Sequence, residues 1–545
     1  MSTLGADDSE WWRTAVVYEI YPRSFRDANG DGVGDLEGVR QSLPYLESLG
    51  VDAIWFTPWY LSPLADGGYD VQDYRRIDPA FGTLEQAETL IREARELGIR
   101  TIVDIVPNHV SAAHAWFVDA IAAGPGSAER VRFWFHPGRG PGGDGLPTHW
   151  KNNLAGDVWT RTTDPDGSPG EWYLHLFASE QPDLNWNHPD VAREHEQILR
   201  FWFDRGVAGI RIDSAAHIMK DPRLPEDDGS HAPGAHPNLD RDEVHGVYRR
   251  WREIADSYDE PRVLVGEVWL PEADRFARYL DHEMHTAFNF DLMTRPWSAA
   301  AFRESIDLML AAHDGVGAPC TWVLSNHDVT RPVTRYGRVD TSFAFEAKAW
   351  GVPSDIELGL RRARAAALLI AALPGSLYLY QGDELGLPEV EDLDLAELQD
   401  PMYFRSGGGN PGRDGCRVPL PWSGIAPPFG FSPSGAASRP WLTQPDAWAG
   451  LTVEAQSADP GSTLSLYRRS LAIRRGSTEL RSGGMEWLDT TPQLCAFRRG
   501  EFVSITNFGS STVAFGPALT VILSSAPLGG GGLPADTTVW ARGPR

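Results

Sequence analysis

Four apolar runs each end on residues that could do chemistry. "VAGIRID" (207–213) closes on Arg211 and Asp213, and "RVLVGEVW" (262–269) carries Glu267. "TWVLSNHD" (321–328) ends on His327 and Asp328, and "IRTIVDIVPNH" (99–109) on Asp104, Asn108 and His109. Tyr69 and Asp70 stand in a fifth segment, "GGYD". Paired carboxylates of this kind suit glycoside cleavage, in which one attacks the anomeric carbon and the other protonates the leaving oxygen. Arg211 is expected to keep Asp213 ionised, lowering its pKa. Glu267 has to be protonated at neutral pH, so it needs a drier or more negative setting. Taken singly, Asp213 could cap a helix, Glu267 could be an ion-pair partner and His109 a satisfied core histidine. The rival chemistry, a metal hydrolase, would bring scattered ligands together, but the chain has no H-E-x-x-H.

The elements that position these groups alternate. "VVYEIYP", "VDAIWFTP" (51–58), 99–109, 207–213, 262–269, "AFNFDLM" (287–293), 321–328 and "SLYLYQGDE" (376–384) read as strands. Amphipathic stretches such as "TLEQAETLIREARELG" (83–98), "VAREHEQILRFWFDRG" (191–206) and "LRRARAAALLIAAL" separate them. Eight such units favour an α/β fold, a closed (β/α)₈ TIM barrel, whose active site forms at the C-terminal strand ends. Residues 110–178, rich in Gly, Pro, Trp and Asp, break the alternation and predict an inserted loop-rich domain after the third strand. The barrel then occupies 1–109 and 179–479, with a long loop at about 385–460. From about 480 to 545 short strands predict a C-terminal all-β sandwich. "GRGPGG" (138–143) follows no strand and opens no helix, so it carries no nucleotide signal.

Composition narrows the partners. A net charge of −26 and only three lysines (Lys151, Lys220, Lys348) argue against nucleic acid. The 21 tryptophans and 15 tyrosines supply flat faces suited to sugar rings. The polar start "MSTLGADDSEWW" is no signal peptide, no apolar segment reaches membrane-spanning length, and three scattered cysteines suggest free thiols. The expected compartment is cytoplasmic, with no membrane partner.

"DANGDGVGDLEG" (27–38) opens like an EF-hand loop, with Asp27, Asn29 and Asp31 at alternate positions, then Gly32. The twelfth position is Gly38 instead of the closing Glu, and a strand precedes the loop, so a calcium sensor is excluded. What remains is a clip for one hard cation or an Asx-rich turn without metal.

Taken together, "DIVPNH", "GIRIDSAAH", "GEVW" and "SNHD" occur in the order of the four barrel motifs of the α-amylase superfamily, glycoside hydrolase family 13, which the chain resembles over essentially its whole length. The resemblance implies Asp213 as nucleophile, Glu267 as general acid/base and Asp328 as the residue that grips the distorted sugar. His109, Arg211 and His327 match the lining of the non-reducing glucose subsite, with Tyr69 as its stacking platform and Phe177 among the substrate-binding residues. "QPDLNW" (181–186) resembles the oligo-1,6-glucosidase and α-glucosidase group, in which the 27–37 loop often holds one structural Ca²⁺ or Mg²⁺. The implied ligands are Asp27, Asn29, Asp31, the Val33 carbonyl, Asp35 and Glu37; no organic cofactor is implied. The same group closes its pocket with an Asp–Arg pair, here Asp70 with an arginine of "GRDGCRVPLPW" (412–422), Arg417 in preference to Arg413. These features predict an exo-acting, retaining α-glucosidase on short α-glucosides such as maltose and sucrose, with glucosyl transfer as a side activity. The rivals are a disaccharide isomerase or glucosyltransferase of the same family, and a non-catalytic barrel. Ser214 follows the nucleophile, where Val commonly accompanies α-1,6 and smaller residues α-1,4 specificity; α-1,4 preference is therefore expected unless Ser214 merely caps a helix.

Overall fold

The computed structural model describes residues 9–154, 156–164, 166–344, 348–514, 519–529 and 532–543. Its centre is one sheet of eight parallel strands: Val16–Ile20, Ala53–Phe56, Arg100–Ile105, Gly209–Ile212, Val263–Gly266, Thr286–Ala287, Thr321–Val323 and Ser376–Tyr380. Numbered first to eighth, they run in the order six-five-four-three-two-one-eight-seven, so the sheet nearly closes and only six and seven lack a ladder between them. That seam is spanned by hydroxyls. Thr286 Oγ1 donates to the Pro319 carbonyl at 3.1 Å, and Thr321 Oγ1 to the Ala287 carbonyl.

Every residue of these strands except Arg100 is buried, and alternate positions divide two cores. Val17, Ala53, Trp55, Ile102, Val263, Val265, Val323 and Tyr378 fill the barrel, while Tyr18, Ile54, Phe56, Val103, Ile105, Ile210, Ile212 and Leu264 face the surrounding helices. The helices form where the amphipathic runs predict them. Thr83 caps Leu84–Glu96 in a reciprocal box with Gln86, and Asp355 caps Ile356–Ala371. The sixth strand is shorter than expected. Only Thr286 and Ala287 pair, because Asn289 Oδ1 accepts from Leu292 N and starts a helix at Phe290–Thr294.

The excursion after the third strand holds a three-stranded antiparallel sheet (Phe135–His136, Pro169–Leu174, Trp159–Thr163) packed around Trp134, Trp150 and Trp159. The C-terminal region carries a five-stranded antiparallel sheet and a two-stranded one, with Val503, Ile505, Leu533 and Val539 between them. Its Thr538 hydroxyl and Trp540 indole donate to Ala365 and Leu368 carbonyls of the helix Ile356–Ala371. Among the described residues no helix is long and apolar enough to cross a membrane.

Candidate active site

Asp104 and Arg211 are register partners on the third and fourth strands, so both side chains share one height in the barrel. Arg211, only 1% exposed, is the hub of the site. Its Nη1 donates to both Asp104 oxygens at 3.0 Å and to Asp213 Oδ1 at 2.7 Å, and Nη2 lies 2.6 Å from Glu267 Oε2. Backbone bonds between strand ends hold these groups in place: Asp213 N to the Ile105 carbonyl, and Glu267 N to that of Ile212. Three buried carboxylates share one guanidinium, so ionising all of them leaves the negative charge under-compensated. Burial first, then the charges of Asp213 and Asp328, push the Glu267 carboxyl up to about 7 against Arg211. The expectation of a lowered Asp213 is corrected: burial outweighs the guanidinium and takes it up to about 6. The order of the two survives, with Glu267 holding its proton to higher pH.

Asp328 has the opposite fate. Burial opposes its charge, but His327, Arg413 and Arg417 hold it well below the usual carboxylate range. Arg417 Nη2 donates to Asp328 Oδ1 at 2.8 Å, and Arg413 Nη1 at 3.3 Å.

The closed end differs from the expected pair. Arg413, not Arg417, lines the cavity, and it pairs with Asp66 as well as with the buried Asp400. Asp70 is fully buried away from the cavity, its oxygens accepting from Ala65 N and Asp66 N at 3.0 Å each, so it shapes the turn that presents Asp66. Arg417 instead clamps Asp328 and donates through Nε to the His327 carbonyl at 2.8 Å. The turn requires glycine at 67, with φ +59°; a Cβ there would sit 2.7 Å from the Tyr21 hydroxyl. Two acids four residues apart give no periodic cue to which one faces the cavity.

The cavity, about 490 Å³, is within the range of small-ligand sites. Tyr69 stacks on His327 at 5.3 Å with rings 7° from parallel, and its hydroxyl donates to Asp104 at 2.9 Å. His109 and Phe177 meet at 5.0 Å on another wall. Trp269, Ala216, His217 and residues 151–154 complete the lining, none of them given a site role from sequence. Trp269 ends the quoted run "RVLVGEVW", two residues after Glu267, where its apolar side chain passes for strand packing. Ser214 borders the cavity at φ +45°, with its N–H donating to Glu267 Oε2 at 2.9 Å. It caps no helix, since the next one begins at Val244.

In the 27–37 loop, Asp27 accepts from Gly30 N and Gly32 N, Asn29 Oδ1 from Asp31 N, and Asp31 from Val33 N and Asn29 Nδ2. Asp35 accepts from Ala28 N and Asn29 N and caps the next helix through Gly38 N. Glu37 does not belong with them. It turns to Arg40, at 2.8 Å from both Nε and Nη2. Among the described residues no three His, Cys, Asp or Glu side chains stand as a cation site. The oxygen donors are of the right type for a hard cation, but they are engaged with the loop's own N–H groups.

Comparisons with known proteins agree with this geometry. The model of the α-amylase catalytic domain matches residues 19–483. A probable α-glucosidase of Rhizobium meliloti (strain 1021) is 36% identical over 524 residues, covering 91% of this chain and 88% of the relative. The crystal structure of the α-glucosyl transfer enzyme XgtA superposes with a TM-score of 0.84 at 32% identity, covering 98% of this chain and 99% of that one. Isomaltulose synthase (PalI) from Klebsiella sp. LX3 gives 0.84 at 26% identity, with 98% and 99% covered. With its barrel, strand-end carboxylates and matched span in agreement, the chain belongs to the α-amylase family, glycoside hydrolase family 13.

Proposed function

We propose that the protein is a retaining, exo-acting α-glucosidase that removes terminal glucose from short α-glucosides such as maltose and sucrose, preferring α-1,4 bonds and transferring glucosyl groups as a side activity. One observation carries the reading: a single guanidinium holds Asp213 and Glu267 beside a cavity whose lining includes the Asp66–Arg413 pair. The Asp213 carboxylate attacks the anomeric carbon while the Glu267 carboxyl gives its proton to the glycosidic oxygen. The leaving sugar departs as an alcohol, and a β-glucosyl ester remains on Asp213. Glu267, now ionised, takes a proton from water or an acceptor alcohol, whose oxygen displaces Asp213 and restores the α configuration. Asp328, kept ionised by its arginines, accepts hydrogen bonds from sugar hydroxyls. The Asp66–Arg413 pair in the lining is set to bind the hydroxyls of a terminal glucose, which would limit cleavage to chain ends. The R. meliloti relative, named a probable α-glucosidase, supports this reading.

The experiment is incubation with maltose, sucrose and trehalose, followed by sugar analysis and proton NMR of the first product. Free α-glucose as the main product is expected. β-Glucose appearing first would overturn retention, and an unchanged mixture would favour a non-catalytic barrel. Asp213→Asn is expected to lower turnover by several orders of magnitude with the fold intact. A second reading is sugar isomerisation or transfer, favoured by the likeness to isomaltulose synthase and XgtA and by the Trp269–Phe290 stack, 3.8 Å and 3° from parallel, beside Glu267. It would show as a rearranged disaccharide from sucrose.

A further inference from the structure

Lys220 does not line the cavity, yet its side chain is fully buried close behind it. Its ammonium lies 2.8 Å from Asp183 Oδ2 and donates to Asn108 Oδ1 at 2.5 Å. An ammonium offers three donors and no acceptor, so only the oxygen of the Asn108 carboxamide can face it. Asp183 enforces the same orientation from the other side, because its Oδ1 accepts from Asn108 Nδ2 at 3.1 Å. The second N–H of that Nδ2 points at His109 Nδ1, also at 3.1 Å. His109 Nδ1 therefore meets a donor and has to accept.

The other ring nitrogen has two neighbours. His109 Nε2 lies 3.2 Å from the Tyr69 carbonyl, an acceptor, and 3.0 Å from Gln181 Nε2, a donor. Gln181 is itself fixed, with Oε1 accepting from Ala178 N at 2.9 Å and Nε2 donating to Asp66 at 3.0 Å. Burial keeps the ring neutral, taking His109 down to about 4. A neutral imidazole has one N–H and one lone pair, and which nitrogen carries which is set by the neighbours. Two arrangements compete. In one, Nδ1 accepts from Asn108 and Nε2–H donates to the Tyr69 carbonyl. In the other, the proton sits on Nδ1, Asn108 is flipped and Nε2 accepts from Gln181. The first leaves one Gln181 N–H facing Nε2–H; the second puts the Asn108 amino group against the Lys220 ammonium and its oxygen against Asp183, two mismatches that both involve a full charge.

We infer that the buried Lys220–Asp183 pair is a positioning device that locks the Asn108 carboxamide and thereby holds the proton of His109 on Nε2, so that this edge of the ring, shared with the Tyr69 carbonyl, presents an N–H and not a lone pair. That this N–H meets a substrate hydroxyl rests on the function proposed above; the position of the proton does not. The test is ¹⁵N NMR of the whole enzyme labelled in histidine, with His109→Gln to assign the signal. Wild type is expected to show a bare Nδ1 and a protonated Nε2. The reverse would overturn the inference whatever the activity.

Two variants test the lock. Lys220→Met/Asp183→Leu removes both charges and frees Asn108, so the His109 signals are expected to move toward a mixture of tautomers. Wild-type signals in that folded variant would overturn the lock. Should it fail to fold, Asn108→Asp keeps the shape and sets an oxygen against Nδ1. The proton is then expected on Nδ1, with KM for maltose raised about tenfold and kcat changed by less than about threefold. An unmoved proton in Asn108→Asp would overturn the inference. An unmoved KM with a moved proton would confine it to the protonation state and overturn the link to substrate.

Discussion

The indole N–H of Trp269 donates to Glu267 Oε1 at 3.1 Å, a bond that favours the ionised carboxylate over the neutral acid. The proposed mechanism needs Asp213 charged and Glu267 protonated, and the pair rises to about 6 and about 7 respectively. kcat/KM for maltose is therefore expected to be bell-shaped, falling below about pH 6 as Asp213 takes a proton and above about pH 7 as Glu267 loses one. Trp269→Phe should move the alkaline limb upward by about 0.3–1 pH unit, the equivalent of one ordinary hydrogen bond. A limb that stays put or moves down would remove Trp269 from the control of Glu267. Ser214 offers a second measurement. A β-branched side chain at φ +45° is strained by ~1–3 kcal/mol, so Ser214→Val should lower the melting temperature. Independently, it should shift the maltose-to-isomaltose ratio of kcat/KM toward isomaltose, by up to ~3 kcal/mol. A wild type that already prefers isomaltose would refute the single-residue argument. At this scale the carboxylates were legible from sequence because each ends an apolar strand, where a polar residue has no packing reason to be. Asp66 and Arg413 were not. Each has a like-charged neighbour four residues away on the same loop, and the choice between them is made by glycine turns and long-range pairing.

Between residues and the whole stand the loops, and two of them make separable predictions. Asp66 and Asp70 share one turn but do different work. Asp66→Ala should raise KM for maltose by tenfold or more by removing the acid beside Arg413 in the cavity lining, with a smaller change in melting temperature because Arg413 keeps Asp400 and Asp328 as partners. Asp70→Ala removes the acceptor for two backbone N–H groups and should chiefly lower stability, by about 1–3 kcal/mol. Similar KM effects from both would restore Asp70 as the sugar-binding acid. For the 27–35 loop we propose one bound Ca²⁺ or Mg²⁺, held by Asp27, Asn29, Asp31, the Val33 carbonyl and Asp35, with the Asn29–Asp31 side-chain bond giving way. The acceptor oxygens of Asp27, Asn29 and Asp31 each keep a second lone pair, and three carboxylates in nine residues favour a cation. A site that binds only the folded state stabilises it, so chelation should lower the melting temperature more than it lowers initial activity. No change in melting temperature between millimolar calcium and chelator would leave the loop a metal-free Asx turn. The oxygen spacing was readable in the sequence; that Glu37 belongs to Arg40 was not, since its neighbour three residues on is visible only once the helix forms.

Over the whole molecule, eight alternations of apolar strand and amphipathic helix were enough to identify the barrel, because each period has its own physical cause. The strand that resisted was the sixth, where "AFNFDLM" is apolar but for Asn289 and Asp291, and Asn289 turns it into a helix after two paired residues. That short strand leaves the barrel with two free edges facing each other. Backbone amides there are guarded by few ladder bonds, so in deuterium exchange residues 286–287 and 321–323 should lose protection before 100–105 and 209–212. Equal protection all round would mean that the two threonine hydroxyls are as good as a ladder. The position of the seam divides the chemistry as well. Asp213 and Glu267 follow the fourth and fifth strands on one flank, and Asp328 follows the seventh on the other. In the proposed mechanism, a transient parting at this hem would draw Asp328 away from Asp213 and Glu267 while leaving that pair intact, a way to loosen the hold on a glucose without disarming the site.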